Sequence, residues 1–470
     1  MTDSTKLATA VKALQERFNG ELILPGDPSY DDRRTLYNAA HDKRPAVIAL
    51  CSGTADVVDA VKFARAHDLE IAIRSGGRHT AGFASVDGGL VVDLSVMRSV
   101  RVDVDEQTAW VQGGANGADL QAETLTYGLA GITGWANSVG LGGFLLHGGY
   151  GCLSAKLGLG VDTILELEVV SANGEVLRVT PSENPDLFWA ARGAGSNFGV
   201  VTWMKVQLVP VPEQVLAGVL VYDAAEATEL LKYLNKLNGR GPDDMMFIAH
   251  MAVLPDDPAY PGELHGKLVV DVMIVHIGSL AQAGADVREL REEFTPLIDT
   301  VAPRSLRDFM IELSTGYPGI RQRMDDDQVV ELSDEVIDVI VSAARTMPDR
   351  GLQPMSYLIM YPYRGAASRT PEHDSACPVG RGHWSITGAA FWEDPADDAR
   401  HIGWCDDVSA ALHEGGVATG AVYANCQPEV NLECQRRSFG EERWNRLASI
   451  KATYDPENVF HHNHNIPPAS

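Results

Sequence analysis

Several common signatures are missing from this sequence. Basic residues are scarce: 38 Lys and Arg stand against 64 Asp and Glu, a formal net charge of -26 over 470 residues. Such a field repels phosphate backbones and anionic headgroups, so neither nucleic acid nor a membrane is an expected partner. No run approaches the roughly 18 uninterrupted apolar residues of a membrane span. The N-terminal MTDSTKLATAVKALQERF has no apolar core behind a basic start, and a soluble, cytoplasmic protein is expected. The six cysteines (Cys51, Cys152, Cys377, Cys405, Cys426 and Cys434) form no Cys-x-x-Cys pair, which argues against a disulfide framework. HHNHN at His461–Asn465 lacks neighbouring carboxylates or thiolates, a poor zinc site, so no metal is expected. Gly-Lys-Ser and Gly-Lys-Thr are absent, which removes the Walker loop. The nearest approach to a dinucleotide fingerprint, GAGSNFG at Gly193–Gly199, has one residue too many and leads into a strand instead of a helix.

Apolar residues make up 45% of the chain, enough for a large core, and the length allows two or three domains. From Pro45 the pattern reads strand (PAVIAL), helix (TADVVDAVKFARAHD, with Thr54 able to cap it) and strand (LEIAIR). Two glycine-rich stretches follow. IRSGGRHTAGF places a glycine pair directly after a strand, where a backbone without side chains can approach a phosphate. GITGWANSVGLGGFLLHGGYG, Gly131 to Gly151, has glycine too often for a stable helix or strand and reads as a loop wrapped around something. ILELEVVSANGEVLRVT is a hairpin turning at Asn173-Gly174. VPVPEQ, at Pro210 and Pro212, reads as a domain boundary. From Leu216 to Val417 longer strands alternate with helices, which predicts an antiparallel sheet with helices on one face. GAVYANC reads as a further strand, and a helix near Trp444 to Thr453 is stopped by Asp455-Pro456.

In order along the chain, RSGG followed by histidine and glycine, VDGGLVVDLSVM, VGLGGFLLHGGYG, ENPDLFWAARGAGSNFGVVT and YDPENVFHHNHNIPP resemble the FAD-linked oxidases of the vanillyl-alcohol oxidase class. The resemblance is to the branch of berberine bridge enzymes and 6-hydroxy-D-nicotine oxidase, and it spans nearly the whole chain. It implies an α+β protein with a two-part FAD-binding domain, residues 1–210 and 418–470, around a substrate domain, 211–417, with an antiparallel sheet. It implies that Arg74, Ser75, Gly76, Gly77, Arg78 and His79, with Gly82, wrap the FAD pyrophosphate. Gly134, Gly140, Gly143, His147, Gly149 and Gly151 would assist, Val200 and Val201 would touch the adenine or flavin end, and Asn463 and Asn465 would close over the flavin. Family members commonly tether the flavin to a histidine of this loop. Ungapped alignment places Arg78 at that position, whereas the Arg-His-Ser pattern of related aldonolactone oxidases makes His79 the tether; non-covalent binding is the alternative. The cysteine tether is replaced by Ala136, and Val139 stands where a small residue accompanies oxygen reactivity.

The acid-base residues of the nicotine oxidase and of berberine bridge enzyme align with Met355, Tyr357, Ile359 and Thr387, so neither set is present. Tyr357, Tyr361 and Tyr363 alternate along SYLIMYPYRG and point to one face. By resemblance Tyr423 lies at the active site, with Asn425 beside it, and is the candidate base; a phenol needs a nearby cation or hydrogen bond for that task. The expectation is an FAD-dependent oxidase that takes a hydride from a small alcohol, amine or activated C–H substrate and passes electrons to O2. A flavin-containing cyclase or isomerase, a dehydrogenase, and a nucleotide-binding protein without redox chemistry are the competing readings.

Overall fold

Short apolar runs pair into sheets that meet at the glycine-rich loops in a computed structural model, which describes residues 3–313, 318–348, 355–429 and 431–469. Val47–Leu50 and Ile71–Arg74 both pair in parallel with Leu90–Asp93, and helix Thr54–Ala66 makes the crossover. The continuous apolar runs fit strands covered on both faces. Thr54 is not the cap expected from the sequence. Gly53 occupies that position without a side-chain bond, and the Thr54 hydroxyl instead donates to Glu168 Oε1 at 2.7 Å, joining the helix to the next sheet. That second sheet is antiparallel, in the order Val100–Asp103, Thr108–Gln112, Val200–Gln207, Ile164–Val170, Val176–Val179. Its last hairpin turns at Gly174, with φ of 71°.

The stretch 131–151 holds a helix where only a loop was expected. Leu141–Leu146 is helical, and Leu141, Phe144, Leu145 and Leu146 are all buried in the surrounding core. Burial of those side chains outweighs the cost of the two glycines inside the helix.

An eight-stranded antiparallel sheet begins with Val215–Asp223. Alternation sorts its residues by face. On Met245–Val253, Met245, Phe247, Ala249 and Met251 pack against helices Ala227–Arg240, Leu280–Glu293, Asp334–Arg345 and Asp398–Glu414. Met246 and Ile248 point the other way, into a cluster with Tyr150, Tyr363 and Tyr423.

GAVYANC is not a strand. The Tyr423 amide donates to the Asp326 carboxylate at 2.6 Å, and the chain then makes a single turn at Ala424–Cys426, so a side chain takes the place of a ladder partner. The following helix runs Leu432–Tyr454, longer than expected, with a break at Gly440. Its end is fastened by Lys451, which is wholly buried. The ammonium donates to Asp455 Oδ2 at 2.6 Å, to Asn197 O at 2.6 Å and to Phe460 O at 3.0 Å, while Asp455 accepts from the amides of Val459 and Phe460.

This ion pair fixes the tail on the first part of the chain. Lys451→Met leaves Asp455 charged and without its cation, and a loss of about 3–5 kcal/mol in unfolding free energy is expected. Urea unfolding of the two proteins checks it.

Candidate functional site

Two glycine loops cross at the centre of the molecule. A Cβ placed on Gly76 would lie 2.5 Å from the Gly140 amide nitrogen, and one on Gly140 would lie 2.3 Å from that of Gly76. Only glycine permits this approach. Around the crossing, Gly76 and Gly143 are exposed, and a Cβ on Gly143 would meet nothing. Gly77 and Ser75 are half-buried, and the Ser75 hydroxyl has no partner. The other predicted glycines serve the loops themselves: Gly82 is packed on His41, Gly149 on Gly160, Gly151 on the Thr133 carbonyl and Gly134 against Phe144.

Side chains of the first loop divide by task. The buried Arg74 guanidinium donates to Ala84 O at 3.0 Å and faces Asp93 at 3.5 Å, so it supports the strand end. Arg78 donates to Ser138 Oγ and stacks on Tyr37, 3.9 Å from the ring centroid. His79 is turned away: Nδ1 accepts from the Ala81 amide at 3.1 Å, and Nε2 donates to Ala424 O at 3.0 Å. Its ring packs against Phe83 and His464. Burial lowers its pKa to about 4, so it is neutral near pH 7. The structure therefore engages both nitrogens of the histidine taken as the tether. His147 is likewise satisfied, with Nδ1 donating to Gly143 O and Nε2 accepting from Ser196 Oγ, each at 3.0 Å.

Val200 and Val201 are buried in two hydrophobic cores, so their side chains are committed to packing. Asn463 donates to Ser196 O at 2.9 Å, and its Oδ1, like that of Asn465, is buried without a partner. Histidines of the tail bond to protein groups: His462 Nδ1 pairs with Glu70 at 2.8 Å, and His464 Nε2 donates to Ala424 O at 3.2 Å. Val139 is half-buried at the second loop.

Over this region lies the face of the eight-stranded sheet that carries Tyr357 and Tyr361, with Tyr363 just past the strand end. Tyr150 makes edge contacts with Tyr361 at 5.2 Å and Tyr363 at 5.3 Å. The Tyr423 hydroxyl accepts from Asn425 Nδ2 at 3.0 Å and from the Tyr150 amide at 3.3 Å, and Asn425 also reaches Phe144 O at 3.2 Å. Two donors favour the phenolate, but burial opposes it more strongly and raises the pKa above the ordinary value. Of the cation or hydrogen bond that a tyrosine base needs, hydrogen bonds are present and no cation is among the groups acting on it. Tyr423 is thus a protonated phenol at neutral pH whose own O–H goes to no described residue.

Asp326 escaped the sequence reading. It lies in Arg321–Val329, opposite Thr387 in register, and its carboxylate accepts from Thr387 Oγ1 at 2.8 Å, from the Ser385 hydroxyl and from the Tyr423 amide at 2.6 Å. Burial drives its pKa up to about 7, against the pull of these donors. The signal was in MDDDQ: in a strand, the middle of three aspartates faces away from the other two.

The loop crossing offers groups suited to a phosphate-bearing ligand. Glycine backbones stand open for a phosphate, and the unpartnered Ser75 Oγ, Asn463 Oδ1 and Asn465 Oδ1 offer hydrogen bonds. Comparison with known proteins agrees. A family model described as FAD binding domain matches residues 45–180, and one described as berberine and berberine like matches 422–467. The chain is 33% identical to (R)-6-hydroxynicotine oxidase of Paenarthrobacter nicotinovorans, over 99% of each chain. It is 26% identical to a monolignol oxidoreductase of Arabidopsis thaliana, over 87% of this chain and 81% of that one. The crystal structure of 6-hydroxy-D-nicotine oxidase from Arthrobacter nicotinovorans superposes with a TM-score of 0.84 at 31% identity, covering 96% of this chain and 98% of that one. Xylooligosaccharide oxidase from Myceliophthora thermophila shares the fold, with a TM-score of 0.84 at 21% identity over 99% of both chains.

Asp326 gives a prediction with a defined sign. Its pKa of about 7 in the folded protein lies above the roughly 3.9 of an unfolded aspartate, so stability from this group is complete below pH 4 and is lost as pH rises to 7. Asp326→Asn removes that dependence. The stability of the wild type relative to the variant is expected to fall by about 2–4 kcal/mol between pH 4 and pH 8, read from urea unfolding at the two pH values.

Proposed function

We propose, for a chain that belongs to the FAD-linked oxidoreductases of the 6-hydroxynicotine oxidase and berberine bridge type, that it is an oxidase of a small organic substrate bearing an alcohol, amine or activated C–H bond. The supporting observation is the Tyr423 hydroxyl, held by Asn425 and the Tyr150 amide among the glycine loops with its proton unclaimed. Bound FAD supplies a two-electron acceptor for a hydride, with O2 as the final oxidant and hydrogen peroxide as the product.

The chain's own residues carry the other tasks. Tyr357 and Tyr361, half-buried on one face of their strand, form an aromatic wall for an apolar or hydroxylated substrate of moderate size, and the buried Tyr150 and Tyr363 pack behind Tyr361. The Tyr423 O–H donates to the substrate's oxygen or nitrogen and fixes the bond to be broken. As a protonated phenol it orients substrate by donating a hydrogen bond. Asn425 ties Tyr423 to the carbonyl of Phe144, so the hydroxyl and the second glycine loop move as one unit. Asp326 holds the Tyr423 backbone from behind.

Tyr423→Phe is expected to lower kcat/KM by about tenfold, the worth of one orienting hydrogen bond of roughly 1.4 kcal/mol; unchanged activity would remove the residue from the mechanism. Val139→Leu, which fills space at the second loop, is expected to slow reoxidation of the reduced enzyme by air about tenfold, roughly 1.4 kcal/mol of barrier. Stopped-flow absorbance measures it, and a wild-type half-time of many minutes defeats the oxidase reading.

A further inference from the structure

We infer that this chain holds FAD by non-covalent contacts alone, with the guanidinium of Arg78, which joins the two glycine loops, as one of those contacts. The inference rests on the FAD site read above. A tether forms when a ring nitrogen or thiolate with a free lone pair bonds a flavin carbon. Among the described residues, neither histidine within the two glycine loops has such a group free. His79 uses its Nδ1 lone pair for the Ala81 amide, and its Nε2 proton is committed to Ala424 O. His147 uses its Nε2 lone pair for Ser196 and its Nδ1 proton for Gly143 O. The second loop supplies Ala136 and Ser138 but no cysteine. Cys152 is a buried thiol whose proton is held to about pH 12 by desolvation, so it offers no thiolate at neutral pH.

Arg78 follows the glycine pair directly and keeps its proton at any working pH, so it has no lone pair to form a bond. Its setting points to a different role. The guanidinium donates to Ser138 and stacks on Tyr37, and thereby bridges the two loops whose backbones cross at Gly76 and Gly140. Among the described residues no carboxylate pairs with it. That is unusual in a chain with 64 acidic and 38 basic residues, where nearby arginines such as Arg34, Arg74 and Arg321 each face an aspartate. A half-buried cation with donors to spare takes its counter-charge from the ligand. The anionic group that FAD brings is its pyrophosphate, and a charge-assisted hydrogen bond to it does by electrostatics part of what a bond would do covalently.

The test uses the full chain, its visible spectrum, acid precipitation, and FAD affinity measured by quenching of flavin fluorescence. For the wild type and for His79→Ala alike, the yellow colour is expected in the acid supernatant, leaving the denatured protein band non-fluorescent. Arg78→Ala is expected to weaken FAD binding about tenfold or more, and Arg78→Lys, which keeps the charge, to recover part of the loss. Flavin that stays with the wild-type pellet overturns the inference of non-covalent binding. Undiminished FAD affinity in Arg78→Ala overturns the role given to the guanidinium. A protein that remains colourless after FAD is added overturns the reading of the site itself, and this inference with it.

Discussion

The contact between the backbones of Gly76 and Gly140 is the constraint on which the site depends. Each residue lies where a Cβ would strike the other's amide nitrogen, at 2.5 and 2.3 Å. The loop after Ile71–Arg74 and the loop before Leu141–Leu146 can therefore share one floor only while both positions lack a side chain. Several contacts of the candidate site are built around that crossing. Arg78 bridges it, Val139 flanks it, and the helix on its far side presents the Phe144 carbonyl that locates Asn425 and, through it, the hydroxyl of Tyr423.

Features with a purely local cause were legible in the sequence. Glycine pairs after a strand, the Asn173-Gly174 turn and the alternating tyrosines each follow from one residue's backbone freedom or from the two-residue period of a strand. Features decided by a partner distant in sequence were not. Leu141–Leu146 is a helix because of the core around it, although its glycines argue otherwise. Tyr423 misses its strand because Asp326, 97 residues away, captures its amide. Arg321–Val329 was hidden because its strand carries two arginines and three aspartates, which no hydrophobic alternation marks. The orientation of His79 was also out of reach: adjacent residues in a glycine-rich loop can point anywhere until Ala424 and Ala81 claim the ring.

Tail and head of the chain are joined by the same logic of buried charge. Lys451 and Asp455 form an ion pair with no exposure, and every remaining donor or acceptor of the pair is matched by a backbone group of Asn197, Val459 or Phe460. A buried pair repays its desolvation only with that degree of satisfaction. What it secures is position. The tail then delivers His464 and Asn463 to the floor of the cleft, where the Ala424 carbonyl accepts from both His464 and His79. One carbonyl from the C-terminal segment thus fixes a histidine of the first glycine loop.

Acidic residues crowd the sequence, yet the groups around the loop crossing are driven to their neutral forms: His79 and His147 lose basicity on burial, Tyr423 and Tyr361 lose acidity, and Asp326 titrates near 7. A centre in which burial weakens the charged forms of histidine and tyrosine alike disfavours charge of either sign. Arg78 is the exception, because a guanidinium does not surrender its proton to burial. Its charge persists where the two glycine loops meet, beside Ser138 and the ring of Tyr37.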